Sequence, residues 1–258
     1  MSPLIFITGA SSGIGQALAW RYYQAGFSLA LVARRTDEIQ SWAQTRGLDV
    51  SRYRIYGADV AIIDSITATA RRCLETQGVP DIVIANAGVS IGIDSAVRDD
   101  LEVLARTFAI NNVGLAATFH AFIDPMALRG SGALVGIGSV AGIRGLPGHG
   151  AYCASKAGVI SYCESLRGEL RDAGVKVVTI CPGYINTPLT QKNRYAMPFL
   201  MQPNVFADKA FAAIEVGASY RVIPWQMGWV AKGLRLLPNV IFDKVLSGRP
   251  RKRRVNGD

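Results

Sequence analysis

The feature that most constrains this chain is the spacing of its short apolar runs. Leu4–Thr8, Phe27–Ala33, Tyr53–Ala58, Asp81–Ala85, Ala133–Ser139 and Val175–Cys181 read as strands, and most are apolar at consecutive positions. Longer stretches with helical spacing separate them: Ile14–Ala25, Thr36–Thr45, Ile62–Thr76, Asp99–Ile110, Asn112–Leu128 and Ala151–Asp172. A helix near Ala207–Val216 and a short strand near Tyr220–Pro224 follow. Strands without polar alternation are covered on both faces. Their alternation with helices predicts a parallel sheet sandwiched between helical layers. The reading is α/β, with one doubly wound domain over residues 1–248 and a mostly parallel sheet of about seven strands.

Open sheets of this kind bind ligands outside the carboxyl ends of their strands. The residues that follow each strand therefore carry the argument. After the first comes Thr8-Gly9-Ala10-Ser11-Ser12-Gly13-Ile14-Gly15, which opens a helix. Glycines permit a tight turn and a close backbone approach, and a helix N-terminus offers free N–H groups to a phosphate. Gly9, Ser11, Ser12, Gly13, Ile14 and Gly15 are the candidate pyrophosphate positions, against the alternative of a purely structural turn. The second strand ends in Ala33-Arg34-Arg35, where an acidic residue would accept from ribose hydroxyls and repel a 2′-phosphate. Guanidinium groups suit a phosphate instead, which favours NADP(H) over NAD(H). The alternative is that both arginines begin the next helix in solvent.

The loop TGxxxGIG resembles the glycine motif of the classical short-chain dehydrogenases/reductases, and the resemblance extends to about residue 190. It implies a Rossmann fold and an oxidoreductase that uses a nicotinamide cofactor. It implies a discriminating role for Arg34, with Arg35 as helper. It also implies that Asp59 accepts from the adenine amino group while Val60 packs on the ring, although Asp59 is equally a good helix cap. Asn86-Ala87-Gly88 matches most of the family's NNAG motif, with Ala85 in place of the first Asn. In Pro182-Gly183-Tyr184-Ile185-Asn186-Thr187, which matches PGxxxT, the resemblance places backbone contacts and the Thr187 side chain on the nicotinamide amide or pyrophosphate. Pro182, Gly183, Ile185 and Thr187 complete the expected cofactor contacts.

Ser139 closes the fifth strand, and Tyr152 and Lys156 stand four apart on the next helix, so they share a face. A hydride delivered to a carbonyl carbon builds charge on oxygen, which a proton donor must meet. Free tyrosine titrates near 10, and neighbouring positive charge is expected to lower that value. Tyr152 is the expected general acid for reduction and base for oxidation, Lys156 its modulator and ribose contact, and Ser139 a hydrogen-bond donor to the substrate oxygen. By resemblance Asn111, within Asn111-Asn112-Val113-Gly114, kinks a helix and holds a water leading from Lys156; Asn112 is the competing register, and a helix cap the competing role. His149 is read as a wall residue.

Residues 189–203 are expected to cover the substrate. Tyr195, Met197, Phe199, Leu200 and Met201 make that lid apolar, which points to a hydrophobic ketone or aldehyde. The extension at 225–248 carries Trp229, Leu234, Leu237 and Val240, which could share one helical face despite Pro238, with Lys232, Arg235 and Lys244 interspersed. Packing on the substrate pocket or a second subunit competes there with peripheral membrane contact. The net charge is +9, and much of the surplus sits in the tail at 249–258, in Arg249-Pro250-Arg251-Lys252-Arg253-Arg254. A solvated tail is the plain reading of such a block; phosphate or lipid contact is the alternative, and specific nucleic-acid binding is not expected. Cys73, Cys153, Cys163 and Cys181 show no zinc spacing, so no metal site is expected, and their apolar contexts predict buried free thiols. These features fit a cytoplasmic enzyme, with peripheral contact on the inner membrane face as the variant, and the family's habit implies a homodimer or homotetramer. The rivals to a carbonyl/alcohol oxidoreductase are a 3-oxoacyl thioester reductase and a non-catalytic NADP(H)-binding sensor or scaffold.

Overall fold

The computed structural model describes residues 2–191, 193, 195–248 and 252–254. The strands are β1 (Leu4–Thr8), β2 (Ser28–Ala33), β3 (Tyr53–Gly57), β4 (Ile82–Ala85), β5 (Gly132–Ile137), β6 (Val175–Pro182) and β7 (Tyr220–Ile223). They form one sheet in the order β3-β2-β1-β4-β5-β6-β7. All its pairings are parallel.

The consecutive apolar positions are explained by two cores. In β1, Ile5 and Ile7 point into one and Leu4 and Phe6 into the other. β2 divides in the same way, with Leu29 and Leu31 opposite Ala30 and Val32. The first core is closed by α1 (Gly13–Gln24), α2 (Thr36–Thr45) and α7 (Pro203–Glu215), through Leu18, Tyr22, Ile39 and Phe206. The second is closed by α3 (Ile63–Gln77), α5 (Gly114–Arg129) and α6 (Gly150–Glu169), through Ile66, Phe119, Phe122 and Val159. A strand buried on both faces cannot afford alternating polar residues.

α4 (Asp100–Phe108) runs into α5 through one wide turn, Ala109–Val113, with π-helical bonding. The four cysteines are buried free thiols. Burial raises the pKa of each, so they are poor nucleophiles at neutral pH.

After β7 the chain forms α8 (Trp225–Leu236) and α9 (Asn239–Leu246), with Pro238 between them. The expected single face through Trp229, Leu234, Leu237 and Val240 does not form: Trp229 and Val240 are exposed. Leu237 and Pro238 take extended backbone and break the axis. Met227, Gly228 and Ala231 of α8 and Phe242 of α9 are the residues that become buried. No helix among the described residues is long and apolar enough to cross a membrane.

Candidate active site

A cleft of about 410 Å³ lies along the carboxyl ends of the strands. Every cofactor position expected from the sequence lines it except Gly15, and so do Ser139, Tyr152 and Lys156. Gly15 sits beneath the floor. A Cβ there would overlap the Gly9 carbonyl oxygen and stand 2.8 Å from Asn86 Nδ2. Gly9 has φ +70°, a conformation that glycine adopts at no steric cost. Asn86 locks this loop to β4: its Nδ2 donates to the Thr8 and Gly9 carbonyls at 3.0 and 3.3 Å. The Thr8 hydroxyl accepts from the backbone N–H groups of Asn86 and Ala87. From the far wall, the Thr187 methyl reaches 3.1 Å from a Cβ built on Gly13. The loop after β6 therefore meets the loop after β1 across the cleft.

At the β2 end, Arg34 and Arg35 both extend toward the cleft edge. Arg35 donates to Ser11 Oγ at 3.2 Å and pairs with Glu38 at 3.0 Å. Arg34 is more than half exposed and stands 3.7 Å from Asp59. Asp59 Oδ1 accepts from Ala61 N at 3.0 Å. It closes a turn just before α3 rather than capping the helix itself, which begins at Ile63.

At the other end, Lys156 is only 5% exposed. Its Nζ donates to the Ile137 carbonyl at 2.7 Å and lies 5.9 Å from the Tyr152 ring centroid. Burial lowers its pKa to about 8. Burial pushes Tyr152 up to about 12, and a hydrogen bond from Ser139 only partly offsets that. This corrects the expected depression by Lys156. Desolvation of the phenolate is the largest influence, and the Lys156 ammonium is turned to the Ile137 carbonyl and is itself desolvated.

Asn111, rather than Asn112, faces this end. It is buried in the wide turn; its Oδ1 accepts from Val89 N at 2.9 Å, and its Nδ2 donates to Val89 O and Ser155 Oγ. A Cβ on Gly88 would lie 3.2 Å from Asn111 Oδ1 and 3.5 Å from Lys156 Nζ, so the three positions are close neighbours. Asn112 turns away and donates to the Ser155 carbonyl at 2.8 Å.

The family's sequence model for short chain dehydrogenases matches residues 3–197. The chain is a short-chain dehydrogenase/reductase. It is 37% identical over 240 residues to an oxidoreductase of Myxococcus xanthus, covering 92% of this chain and 93% of that one. It is 32% identical over 197 residues to 2-(R)-hydroxypropyl-CoM dehydrogenase of Xanthobacter autotrophicus, covering 74% and 78%. Among solved structures, a short-chain dehydrogenase from Sphingobium yanoikuyae in complex with NADPH superposes with TM-score 0.78 at 25% identity, covering 98% and 99%. One from Burkholderia cenocepacia in complex with NADP gives 0.80 at 22%, covering 96% and 98%.

Several residues that fasten the loops around the cleft of this short-chain dehydrogenase/reductase lie outside the motifs. Arg144, in the loop after β5, donates to the Leu234 carbonyl, to the Leu237 carbonyl at 2.8 Å and to Asn239 Oδ1 at 3.1 Å. Its guanidinium also covers the Phe242 ring at 3.6 Å. One side chain thus captures the C-terminal carbonyls of α8 and pins α9 beside the Ser139 loop. In the loop after β6, Tyr195 OH meets His149 Nε2 at 3.2 Å. Burial lowers the His149 pKa, so it is neutral at pH 7.

The basic tail departs from the solvated reading where it is described, at Lys252–Arg254; the other residues of 249–258 lie outside the described residues. Arg253 O accepts from Gly92 N at 2.9 Å. Arg254 grips Asp100, only 4% exposed, with Nε to Oδ2 at 2.7 Å and Nη2 to Oδ1 at 3.3 Å. That bond, with a second from Asp94 N, holds the Asp100 carboxyl below its ordinary range. The sequence signal for this contact is weak: an acid that faces inward on α4, and cations with no local partner.

Proposed function

We propose that this enzyme interconverts a carbonyl and an alcohol on an apolar small molecule, with NADP(H) as hydride carrier. The convergence of Ser139, Tyr152 and Lys156 at one end of a cleft with paired arginines at the other carries this reading. The residues fit a dinucleotide: a glycine floor that any Cβ would fill, serine hydroxyls beside it, and two guanidiniums where a 2′-phosphate needs donors. When bound, the cofactor supplies or accepts the hydride at the carbonyl carbon.

The chain's own residues handle the proton and the geometry. Ser139 donates a hydrogen bond to the substrate oxygen, holding it against the Tyr152 hydroxyl. Tyr152, with a pKa near 12, is protonated at neutral pH and gives its proton to that oxygen as the alcohol forms. In the reverse direction the phenolate takes the proton back. Lys156, fixed on the Ile137 carbonyl, holds positive charge beside the phenol and is placed to contact the nicotinamide ribose. Asn111 fixes the loop at Val89 and stands next to Lys156, on the route by which a proton would be replaced. Arg34 and Arg35 select the phosphorylated cofactor.

The test is loss of reduced-nicotinamide absorbance with apolar ketones, aldehydes and quinones, using NADPH and NADH, and Tyr152→Phe as control. Turnover that prefers NADPH and disappears in the variant is expected. Preference for NADH would remove the role of Arg34. If NADPH binds and nothing turns over, the panel is wrong or the protein is a sensor, and 3-oxoacyl thioesters are tried next; activity confined to them would make the enzyme a thioester reductase.

A further inference from the structure

Three loops from the carboxyl end of the sheet meet beyond Tyr152. The loop after β4 carries Gly92 and Asp94, the loop after β5 carries His149, and the loop after β6 carries Leu189, Asn193 and Tyr195. The first two are tied by Ile93 N donating to the Gly148 carbonyl at 3.2 Å, the last two by His149 and Tyr195. Lys252–Arg254 lies across this meeting place. Its backbone is packed so closely on Gly92 that a Cβ there would overlap the Lys252 carbonyl oxygen. Lys252 Nζ donates to Asn193 Oδ1 at 2.6 Å and reaches the Leu189 carbonyl at 3.5 Å.

We propose that Lys252 is a specificity-determining residue that binds an oxyanion, such as a carboxylate, at the end of the substrate remote from its carbonyl. The inference rests on the oxidoreductase reading above and narrows its substrate from an apolar carbonyl compound to an acidic one. Lys252 is half-buried, and among the described residues no carboxylate stands within 4.0 Å of it. Its partners are neutral oxygens. The acids of the same corner are engaged elsewhere: Asp100 grips Arg254, and Asp94 and Asp99 act on Arg254 as well. His149 and Tyr195, next along the wall, are both neutral at pH 7. Arg253 is exposed and turned out.

A partly desolvated ammonium with only neutral partners costs the protein free energy, and an anion brought by a ligand offsets that cost. Burial alone lowers the Lys252 pKa, in keeping with a charge that lacks a counter-ion. The double hydrogen bond from Arg254 to Asp100 fixes the backbone that presents Lys252, so the charge is held in place.

The probes are benzoylpropionate, benzoylbutyrate and benzoylvalerate, each beside its methyl ester. Binding to the full chain with NADP⁺ is measured by calorimetry, and reduction is measured separately with NADPH. At least one acid is expected to bind about tenfold more tightly than its ester. That preference should vanish in Lys252→Met, persist in Lys252→Arg and invert in Lys252→Glu, with ester binding and NADPH affinity unmoved. It should also shrink as salt is raised. The proposal is overturned if no acid outbinds its ester, or if the preference survives Lys252→Met. Acid-selective binding without turnover would sink the oxidoreductase reading and keep Lys252. Reduction of esters and acids alike would do the reverse.

Discussion

The two ends of the cleft are built by different means. The cofactor end is made of backbone and of contacts between adjacent βα units: glycines against a carbonyl, Asn86 across to Thr8 and Gly9, Arg35 back to Ser11. The substrate end is held by a few long side chains that reach across the chain. Arg144 clamps Leu234, Leu237 and Asn239, and Arg254 clamps Asp100. The first end tolerates almost no change in shape, because its neighbours are main-chain atoms. At the second, guanidiniums supplement a thin apolar contact made by Met227, Ala231 and Phe242, while Trp225, Trp229, Leu236 and Val240 stay exposed. On the proposed function, the proton chemistry lies at the end built from adjacent βα units and the selection of substrate at the end held by long side chains.

The comparison can be broken at four points, in falling order of effect. Tyr152→Phe removes the proton donor and should lower kcat by about 10²- to 10⁴-fold with NADPH affinity preserved; a loss of binding instead would mean the two ends are not separable. Gly15→Ala forces a Cβ against backbone that cannot yield. It should cost about 1–3 kcal/mol of stability and lower Tm by about 2–4 °C for each of those, with cofactor affinity lost as well. Arg144→Ala should release about 1–3 kcal/mol of local stability, read as faster amide exchange over residues 225–246, while Tm and NADPH affinity barely move. An equal loss of global stability would show that the extension belongs to the core.

The smallest effect is on pH dependence. A Tyr152 pKa raised to about 12 leaves the phenol protonated through the neutral range, so carbonyl reduction should be nearly flat there. Alcohol oxidation needs the phenolate and should climb with pH. Initial rates in both directions across a pH series would show it; an oxidation rate already level at neutral pH would mean that nearby positive charge outweighs burial.

Much of this was legible because local rules govern it. The apolar runs place every strand, and the glycine loop, Tyr152 and Lys156 fall where the sheet's polarity demands. The Pro203 start of α7 was readable too, since Pro favours the first helical turn; the sequence reading began that helix near Ala207. A break between Ile110 and Asn112 is replaced by a continuous wide turn that swings Asn111 inward, a geometry no periodicity encodes. The acidity of Tyr152 depends on how deeply the fold desolvates it, and residue types at a spacing cannot express that. Arg144 and Arg254 were invisible for a related reason. Their partners are distant in sequence, and a charge run alone reads as solvent-facing.

The Arg254–Asp100 grip also has a temporal consequence. Translation releases the glycine loop, the sheet and the Tyr152 helix well before Arg254 leaves the ribosome. The glycine loop and the Tyr152 helix can thus be in place before the Arg254–Asp100 contact closes. During that interval the corner at Gly92 and Asn193 would lack its cover, and fusions placed directly after Arg254 would prolong that immaturity.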